Sequence, residues 1–378
     1  MKILYLLSGT NMGGATLSFL TLLESVKSKG DKPHVVIPDS RKEFTSTLEK
    51  LGIPYSVIPI GFFCYPVDKG IQKIFYLRHL QQILTREIKN IRALNKIISQ
   101  IKPDIIHTNV GPLFTGHFAA KQNKIPHIWH IREYGDLDFN LYPIPSKRAF
   151  HKKLRNDTAI FITKDLAKYN HAEESCQAHI IYNGVRRHDD ISFIEKKEPY
   201  FLCASRVSPE KGHLEICHAF SEFHKKNPLY KLIILGDGNE AYVELLKEYC
   251  KANDLEKHVI FEGFQTNVKP YMTKAKALIV ASPAEGFGRM TAEACFDGCL
   301  VIGKNSCGTK EILEQTGGFL YNTQQELIAK MENVASISDE EYKEKALQAQ
   351  KKAQELFSIE EYTSKIYSIY NKILAPQI

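Results

Sequence analysis

Glu285-Gly286-Phe287-Gly288-Arg289-Met290-Thr291-Ala292-Glu293-Ala294 follows an apolar run, Leu278-Ile279-Val280-Ala281, and a Ser282-Pro283 turn. This order of strand, glycine turn and helix start, with the helix opening near Arg289, is the local signature of a doubly wound α/β domain. The glycines let the backbone approach a ligand closely, and the free N–H groups of the first helical turn favour phosphate oxygens. Glu285 lies before that helix and Glu293 about one turn inside it. Two carboxylates around a phosphate site make electrostatic sense when each accepts a hydroxyl, and a sugar nucleotide offers hydroxyls at both ends. The plainer alternative is a carboxylate at a helix start and a solvated Glu.

The same domain opens upstream with a strand over Tyr200–Ala204. It leads through Ser205-Arg206-Val207-Ser208-Pro209-Glu210-Lys211-Gly212 into a helix around Leu214. Arg206 offers a fork for phosphate oxygens and Lys211 a point charge. Without a metal, two cations suit the charge of a departing diphosphate. Alone, Lys211 reads equally as a solvated lysine paired with Glu210. Further strands are expected over Lys231–Leu235, His258–Phe261, Ala277–Ala281 and Leu300–Ile302, each followed by a helix. The tail from about Asp339 to Leu374 is expected to be helical, with Tyr362, Ile366, Tyr367, Tyr370 and Ile373 as packing residues.

The first half repeats the alternation. Strands are expected at Ile3–Leu7, His34–Ile37, 104–107, 128–130 and 159–162, with a weaker run at 56–60. A helix is expected over Ala15–Ser28 after Gly13-Gly14, and a long amphipathic helix over about 71–101, ended by Pro103. The charged stretch 186–198 reads as a linker. The expected boundaries are 1–185, the linker 186–198, 199–355 and a terminal helix over 356–378. Two doubly wound parallel-sheet domains would bind ligand outside the carboxyl ends of their strands, in the cleft between them.

The 378 residues are 43% hydrophobic and 25% charged, which excludes collagen, coiled coil and long disorder. No apolar run approaches the roughly 18–20 residues that a membrane span needs, and the apolar N-terminus is too short for a signal peptide. None of the eight cysteines forms a C-x-x-C pair, so they read as buried thiols in a reducing compartment. Cys295, Cys299 and Cys307 are the only spacing near that of a zinc site, and no metal is expected. Residues 1–185 carry 25 Lys and Arg against 15 Asp and Glu, and the remainder 25 against 28. The basic half fits an anionic partner or a solvated lysine-rich surface. In 71–101, Lys73, Arg78, Arg86, Lys89, Arg92 and Lys96 flank the apolar stripe. That is either an interfacial face for an anionic membrane or a core-packed helix. No nucleic-acid-binding pattern is visible.

Several elements appear together in order: Asn183-Gly184-Val185, Arg206…Lys211-Gly212, Leu235-Gly236-Asp237-Gly238, Phe261-x-Gly263, Glu285-x7-Glu293 and Gly308-x-x-Glu311-Ile312. Together they resemble the retaining GT-B glycosyltransferases of family 4, closely from about residue 179 to 322 and more loosely before that. The resemblance implies two Rossmann-like domains, the second binding the nucleotide sugar, with the last helix crossing back to the first. It implies that Arg206 and Lys211 hold the diphosphate, that Glu285 contacts the donor sugar and that Glu293 contacts the ribose. The backbone of Gly286, Phe287, Gly288, Arg289, Met290 and Thr291 would line sugar and phosphate. In the first domain, Gly13-Gly14 matches the loop that approaches the donor phosphate, and His130 matches a sugar-contacting histidine.

Read from residues alone, Gly13-Gly14 is a close-approach loop or only a turn, and His130 is functional or a core histidine, with His107 and His127 as rivals. Arg132 and Glu133 form a local ion pair or help to bind acceptor. Two positions depart from the family pattern: Arg186 follows Asn183-Gly184-Val185 where aspartate is frequent, and Cys307 precedes Gly308 where Gly-Gly is common.

The expected activity is retaining, metal-independent transfer of a hexosyl or N-acetylhexosaminyl unit from a UDP- or GDP-sugar to an acceptor hydroxyl. The nucleotide sugar is a substrate and no cofactor is expected. The acceptor would be a glycan or lipid-linked, in surface polysaccharide or glycan assembly. The location would be cytoplasmic, peripheral to the inner face of a membrane. Rivals on the same fold are a sugar-nucleotide epimerase and a phosphorylase. Gly236-Asp237-Gly238-Asn239-Glu240-Ala241 also fits a dinucleotide fingerprint, pointing to an NAD-dependent oxidoreductase, but it follows the second strand of its domain. Asp136-Leu137-Asp138 resembles a metal-holding D-x-D element and reads as an exposed loop pair. A scaffold that lost turnover is disfavoured by the retained Arg206, Lys211, Glu285 and Glu293.

Overall fold

A computed structural model describes residues 1–66 and 76–375. The chain forms two compact units. One comprises Met1–Gly184 with Ile359–Ile378, and the other Val185–Ser358.

The first unit is built on a seven-stranded sheet: β1 (Lys2–Leu6), β2 (Lys32–Ile37), β3 (Tyr55–Val57), β5 (Ile105–Thr108), β6 (His127–Ile131), β8 (Thr158–Phe161) and β9 (Ala178–Ile180). Their order is β3-β2-β1-β5-β6-β8-β9, all parallel. A separate antiparallel pair joins β4 (Cys64–Pro66) to β7 (Leu141–Pro143). The near-continuous apolar character of β1 follows from burial on both faces. Ile3 and Tyr5 pack with Phe19 and Leu23 of the Gly14–Ser28 helix, while Leu4 and Leu6 pack with Leu94 and Ile98 of the Tyr76–Ile101 helix. That long helix is as expected over its described part; Lys73 and Ile74 lie outside the described residues.

The last helix, Ile359–Leu374, packs on the first unit through Tyr362, Ile366, Ile369 and Tyr370. Fully burying a side chain of the size of Ile366 contributes roughly 1.5–3 kcal/mol, so this helix is an integral layer of that unit. The helical tail expected over about Asp339–Leu374 is divided at Ser358, which is extended at φ −69° and ψ 152°, close to the expected start of the terminal helix. The preceding helix, Asp339–Phe357, is capped by the Ser338 hydroxyl, which accepts from Glu341 N.

The second unit has a six-stranded parallel sheet of β10 (Glu198–Ala204), β11 (Lys231–Leu235), β12 (Val259–Gly263), β13 (Ala275–Val280), β14 (Val301–Lys304) and β15 (Phe319–Tyr321). The order β12-β11-β10-β13-β14-β15 reverses direction between β10 and β13. Phe201 and Cys203 face one helical layer with Ile216 and Phe220, and Leu202 and Ala204 face the other with Ala294 and Leu313. Residues 186–197 run along this unit: Ser192 N donates to Phe296 O, and the Lys197 ammonium donates to Thr273 O and Gly298 O.

Candidate active site

The reversal between β10 and β13 places two loops side by side at the carboxyl edge of the second sheet, the position where such sheets bind ligands. The first is Ser205–Gly212, the second Ala281–Gly288. They touch so closely that a Cβ on Gly212, whose φ is +74°, would lie 2.7 Å from both the Cβ and the carbonyl oxygen of Ala281. This contact delivers Lys211 to Glu285: the ammonium lies 2.5 Å from Oε1, and each side chain keeps about a fifth of its surface exposed. Lys211 therefore does not pair with Glu210. That carboxylate is taken by Arg206 at 3.0 Å, in a pair that is mostly exposed. Exposed pairs of this kind are worth up to about 1 kcal/mol, so Arg206 is readily released to another anion.

The expected glycine turn and helix are present. Gly288 has φ +88° and caps the Arg289–Phe296 helix. A second helix, Cys307–Thr316, starts beside the same turn: Gly308 N donates to Glu285 O, and a Cβ on Gly308 would come within 2.5 Å of the Phe287 carbonyl oxygen. Two helix N-termini thus meet at the Glu285–Gly288 loop. The hydroxyls of Thr291 and Thr309 flank Gly288, are fully buried, and have no partner. Sequence reading missed Thr309, whose placement depends on β14 lying beside β13. The side chains of Phe287 and Met290 turn inward, Phe287 edge-on to Phe357 and Met290 against the Leu278 cluster.

Glu293 is oriented by two arginines. Arg289 Nε donates to Oε1 at 2.7 Å, and Arg186 Nη2 lies 3.5 Å from Oε2. Arg186 also lies 3.5 Å from Asp297 and 3.7 Å from Asp190. Asp297 is fully buried, and that burial pushes its carboxyl up to about 6 against the pull of Arg186. Arg186, the departure from the family pattern, thus neutralises a cluster of carboxylates beneath Glu293. At the other departure, Cys307 adopts φ +50°, a left-handed conformation that glycine takes without strain.

In the first unit, Gly13 and Gly14 are exposed and open the Gly14–Ser28 helix with no side-chain cap and no acidic residue in its first turn. His130 lies in β6, fully buried. Its Nδ1 is 3.1 Å from Nε2 of His107 in β5, and its own Nε2 has no partner. Burial, helped by the neighbouring Arg132 guanidinium, holds both imidazoles well below 6.5. His127 lies on the opposite face against Trp129, bonded to Thr108 Oγ1.

Arg132 does not hydrogen-bond its neighbour Glu133. Its guanidinium donates to Asn109 Oδ1, Asn183 Oδ1 and the Tyr362 hydroxyl. Asn183, part of the Asn183-Gly184-Val185 element, thus holds a buried cation of the first unit. Asp136 and Asp138 are not an exposed pair. Asp136 bonds Lys147 and Tyr169, while Asp138 caps the N–H groups of Tyr134 and Gly135. The Gly236-x-Gly238 turn is closed to a pyrophosphate. A Cβ at either glycine would lie about 2 Å from the carbonyl oxygen of Ser205 or Val207, and Asp237 Oδ1 accepts from Phe264 N. Among the described residues, no three His, Cys, Asp or Glu side chains gather as a metal ion requires. Among the same residues, no helix is long and apolar enough to cross a membrane.

Two doubly wound parallel sheets, the second carrying a paired Lys and Glu over helix N-termini, define a nucleotide-sugar enzyme of the GT-B class. Residues 185–355 match the family described as glycosyl transferases group 1, and residues 12–188 match glycosyltransferase family 4. The chain belongs to this family and is a glycosyltransferase acting on nucleotide sugars. It is 22% identical to an alpha-monoglucosyldiacylglycerol synthase of Acholeplasma laidlawii, over 84% of this chain and 83% of that protein. It is 23% identical to the Escherichia coli UDP-Gal:alpha-D-GlcNAc-diphosphoundecaprenol alpha-1,3-galactosyltransferase, over 67% and 72%. Its fold resembles that of Anabaena HepE in complex with UDP and glucose, with TM-score 0.76, 20% identity and coverage of 98% and 100%. It also resembles that of a Rickettsia africae glycosyltransferase, with TM-score 0.80, 19% identity and coverage of 100% and 99%.

Proposed function

We propose that the chain transfers a hexosyl or N-acetylhexosaminyl unit from a UDP-sugar, with retention of configuration and without a metal, to a lipid-linked or glycan hydroxyl in surface glycan assembly. The observation that carries this reading is the Lys211–Glu285 contact over the Gly286–Gly288 turn. Lys211 and Arg206 supply positive charge to the departing diphosphate, and Glu285 accepts hydroxyls of the donor sugar. Arriving phosphate releases Lys211 from Glu285, so one binding event charges the leaving-group site and frees the sugar-binding carboxylate. The helix N-termini at Arg289 and Cys307 and the backbone of Gly286 to Thr291 line sugar and phosphate. Glu293, held by Arg289 and Arg186, takes the ribose hydroxyls. From the first unit we assign Gly14 to the donor phosphate and His130 to the donor sugar. Same-face transfer leaves the donor phosphate to accept the acceptor's proton.

UDP is favoured over GDP because HepE is solved with UDP and the Escherichia coli relative is named for UDP-Gal. A lipid-linked acceptor is favoured by the names of two relatives, a diacylglycerol glucoside synthase and a diphosphoundecaprenol galactosyltransferase. The Tyr76–Ile101 helix supports peripheral attachment to an anionic membrane. Besides its core-facing Ile83, Leu94 and Ile98, it exposes Leu77, Leu84 and Ile88. These lie on one side at helical spacing, next to exposed Arg78, Lys89 and Arg92. The test of the whole reading is a thermal-shift panel of UDP, GDP and ADP with their sugars, followed by mass analysis of products. Stabilisation by UDP and a glycosylated lipid-linked acceptor are expected; a product retaining free phosphate on the sugar would contradict the proposal.

A further inference from the structure

Across the first sheet, Tyr5 in β1 stands opposite His107 in β5, and His130 in β6 follows on the same face. The last helix lowers Tyr370 onto that face. The polar atoms form one chain: the Tyr5 and Tyr370 hydroxyls are 2.9 Å apart, Tyr370 Oη is 2.7 Å from His107 Nδ1, and His107 Nε2 is 3.1 Å from His130 Nδ1. All four residues are fully buried, and the chain ends at His130 Nε2, which has no partner.

With both imidazoles neutral, four groups joined by three hydrogen bonds have three orderings, and each leaves one hydrogen over. In one ordering the leftover hydrogen is on Tyr5. There it is sealed against Phe19, whose ring lies edge-on at 5.4 Å, with Tyr370 its hydrogen-bond partner among the described residues. In a second ordering Tyr5 and His107 Nδ1–H both donate to Tyr370, and the leftover hydrogen is on that fully buried hydroxyl, whose two partners among the described residues are then both donors. A buried donor without an acceptor costs roughly 1–3 kcal/mol. In the third ordering Tyr5 donates to Tyr370, Tyr370 to His107 Nδ1, and His107 Nε2–H to His130 Nδ1. The leftover hydrogen then sits on His130 Nε2, where an oxygen of a bound ligand satisfies it.

We propose that Tyr5, Tyr370 and His107 are positioning residues that hold His130 as a hydrogen-bond donor through Nε2, directed at an oxygen of the sugar nucleotide. The proposal rests on the assignment of His130 to the donor sugar. Carrying its hydrogen on Nε2, His130 does not take the acceptor's proton there, which leaves that task to the donor phosphate. The terminal helix is thereby tied to the reaction through Tyr370.

The test is the ¹⁵N spectrum of the full chain labelled at histidine, with UDP-glucose added. Expected are a protonated Nε2 and a bare, hydrogen-bonded Nδ1 on His130; a protonated Nδ1 would overturn the proposal. His107→Leu removes the donor to Nδ1. It should populate both His130 tautomers and lower kcat at least about 10-fold with the Kd for UDP unchanged. His107→Gln, whose amide N–H replaces Nε2–H, should restore the single tautomer and most of the rate. An unchanged His130 spectrum in His107→Leu would refute the relay. Should that variant not fold, Tyr370→Phe serves: the His107 Nδ1 resonance should move toward that of a bare nitrogen, and no movement would refute the relay. Wild-type transfer by His130→Ala would instead refute the donor-sugar assignment by itself, because the spectrum is read independently of turnover.

Discussion

Lys211 and Glu285, 74 positions apart, meet at 2.5 Å where the loops after β10 and β13 emerge from neighbouring strands. The fold makes this pair, because a sheet ordered β11-β10-β13-β14 brings those two loops together at its point of reversal. The pair gives the site its electrostatic logic. A cation and a carboxylate satisfy one another until a ligand brings a diphosphate for the first and hydroxyls for the second.

Lys211→Ala should therefore lower kcat/KM about 10²-fold or more, since it removes charge directed at the leaving group. Its effect on folding should be small, about 1 kcal/mol or less, because both partners are part-exposed and Glu285 is left in reach of water. Steady-state kinetics beside urea unfolding separates the two. Arg206→Ala should likewise slow transfer while leaving stability unchanged. Wild-type rates in both variants would remove the leaving-group role.

Cys307→Gly should stabilise the protein by up to about 1 kcal/mol, because it relieves a left-handed conformation at φ +50°. Gly212→Ala should do the reverse, and more strongly. It adds a Cβ 2.7 Å from Ala281 at φ +74° and forces apart the loops that carry Lys211 and Glu285. Urea midpoints check both, and equal midpoints for the two variants would contradict the loop geometry.

His127 is half-buried, its ring packed against Trp129 beside His117, and desolvation there pushes its pKa down to about 3. Its ordinary value in the unfolded chain is 6.5. The unfolded state therefore binds the extra proton, and the stability that neutral His127 contributes is lost as pH falls below about 6.5, down toward the folded value. Between pH 7 and 5.5 this histidine alone should cost about 1 kcal/mol. His127→Gln should flatten the acid side of the stability curve by that amount in unfolding titrations. A slope equal to that of wild type would contradict the assignment.

Replacing Leu77, Leu84 and Ile88 together by Ser should weaken co-sedimentation with vesicles containing anionic lipid, without altering transfer to a soluble acceptor. Raising salt should weaken wild-type binding through Arg78, Lys89 and Arg92. Absence of binding by the wild-type chain at low salt would remove the membrane from the account.

Much of this was legible in the sequence because it is local. Apolar runs and following helices gave the strands of both sheets except the short edge strands β9 and β15, and the glycine turn before Arg289 has the expected geometry. What escaped is what only long-range packing creates. The pairing of Cys64–Pro66 with Leu141–Pro143 is too short to leave a pattern. Asp136 and Asp138 looked like a solvated pair because their partners Tyr169, Lys147 and the Tyr134 N–H are set by folding. Tyr362 and Tyr370 showed only helical spacing, which announces packing; their hydroxyls also hold Arg132 and His107. Arg186 broke a motif in sequence, and its reason is spatial: Glu293, Asp297 and Asp190 surround it.

The central claim is that Lys211 and Glu285 divide one donor between them, diphosphate to the lysine and sugar to the carboxylate. Calorimetric titration of UDP and UDP-glucose into wild type, Lys211→Ala and Glu285→Gln tests it most directly. The account predicts at least about 10-fold weaker binding of both ligands to Lys211→Ala, a conversion of about 1.4 kcal/mol or more. For Glu285→Gln it predicts loss of the extra affinity for UDP-glucose with UDP itself held at least as tightly as by wild type. Equal affinity of all three proteins for both ligands would contradict it.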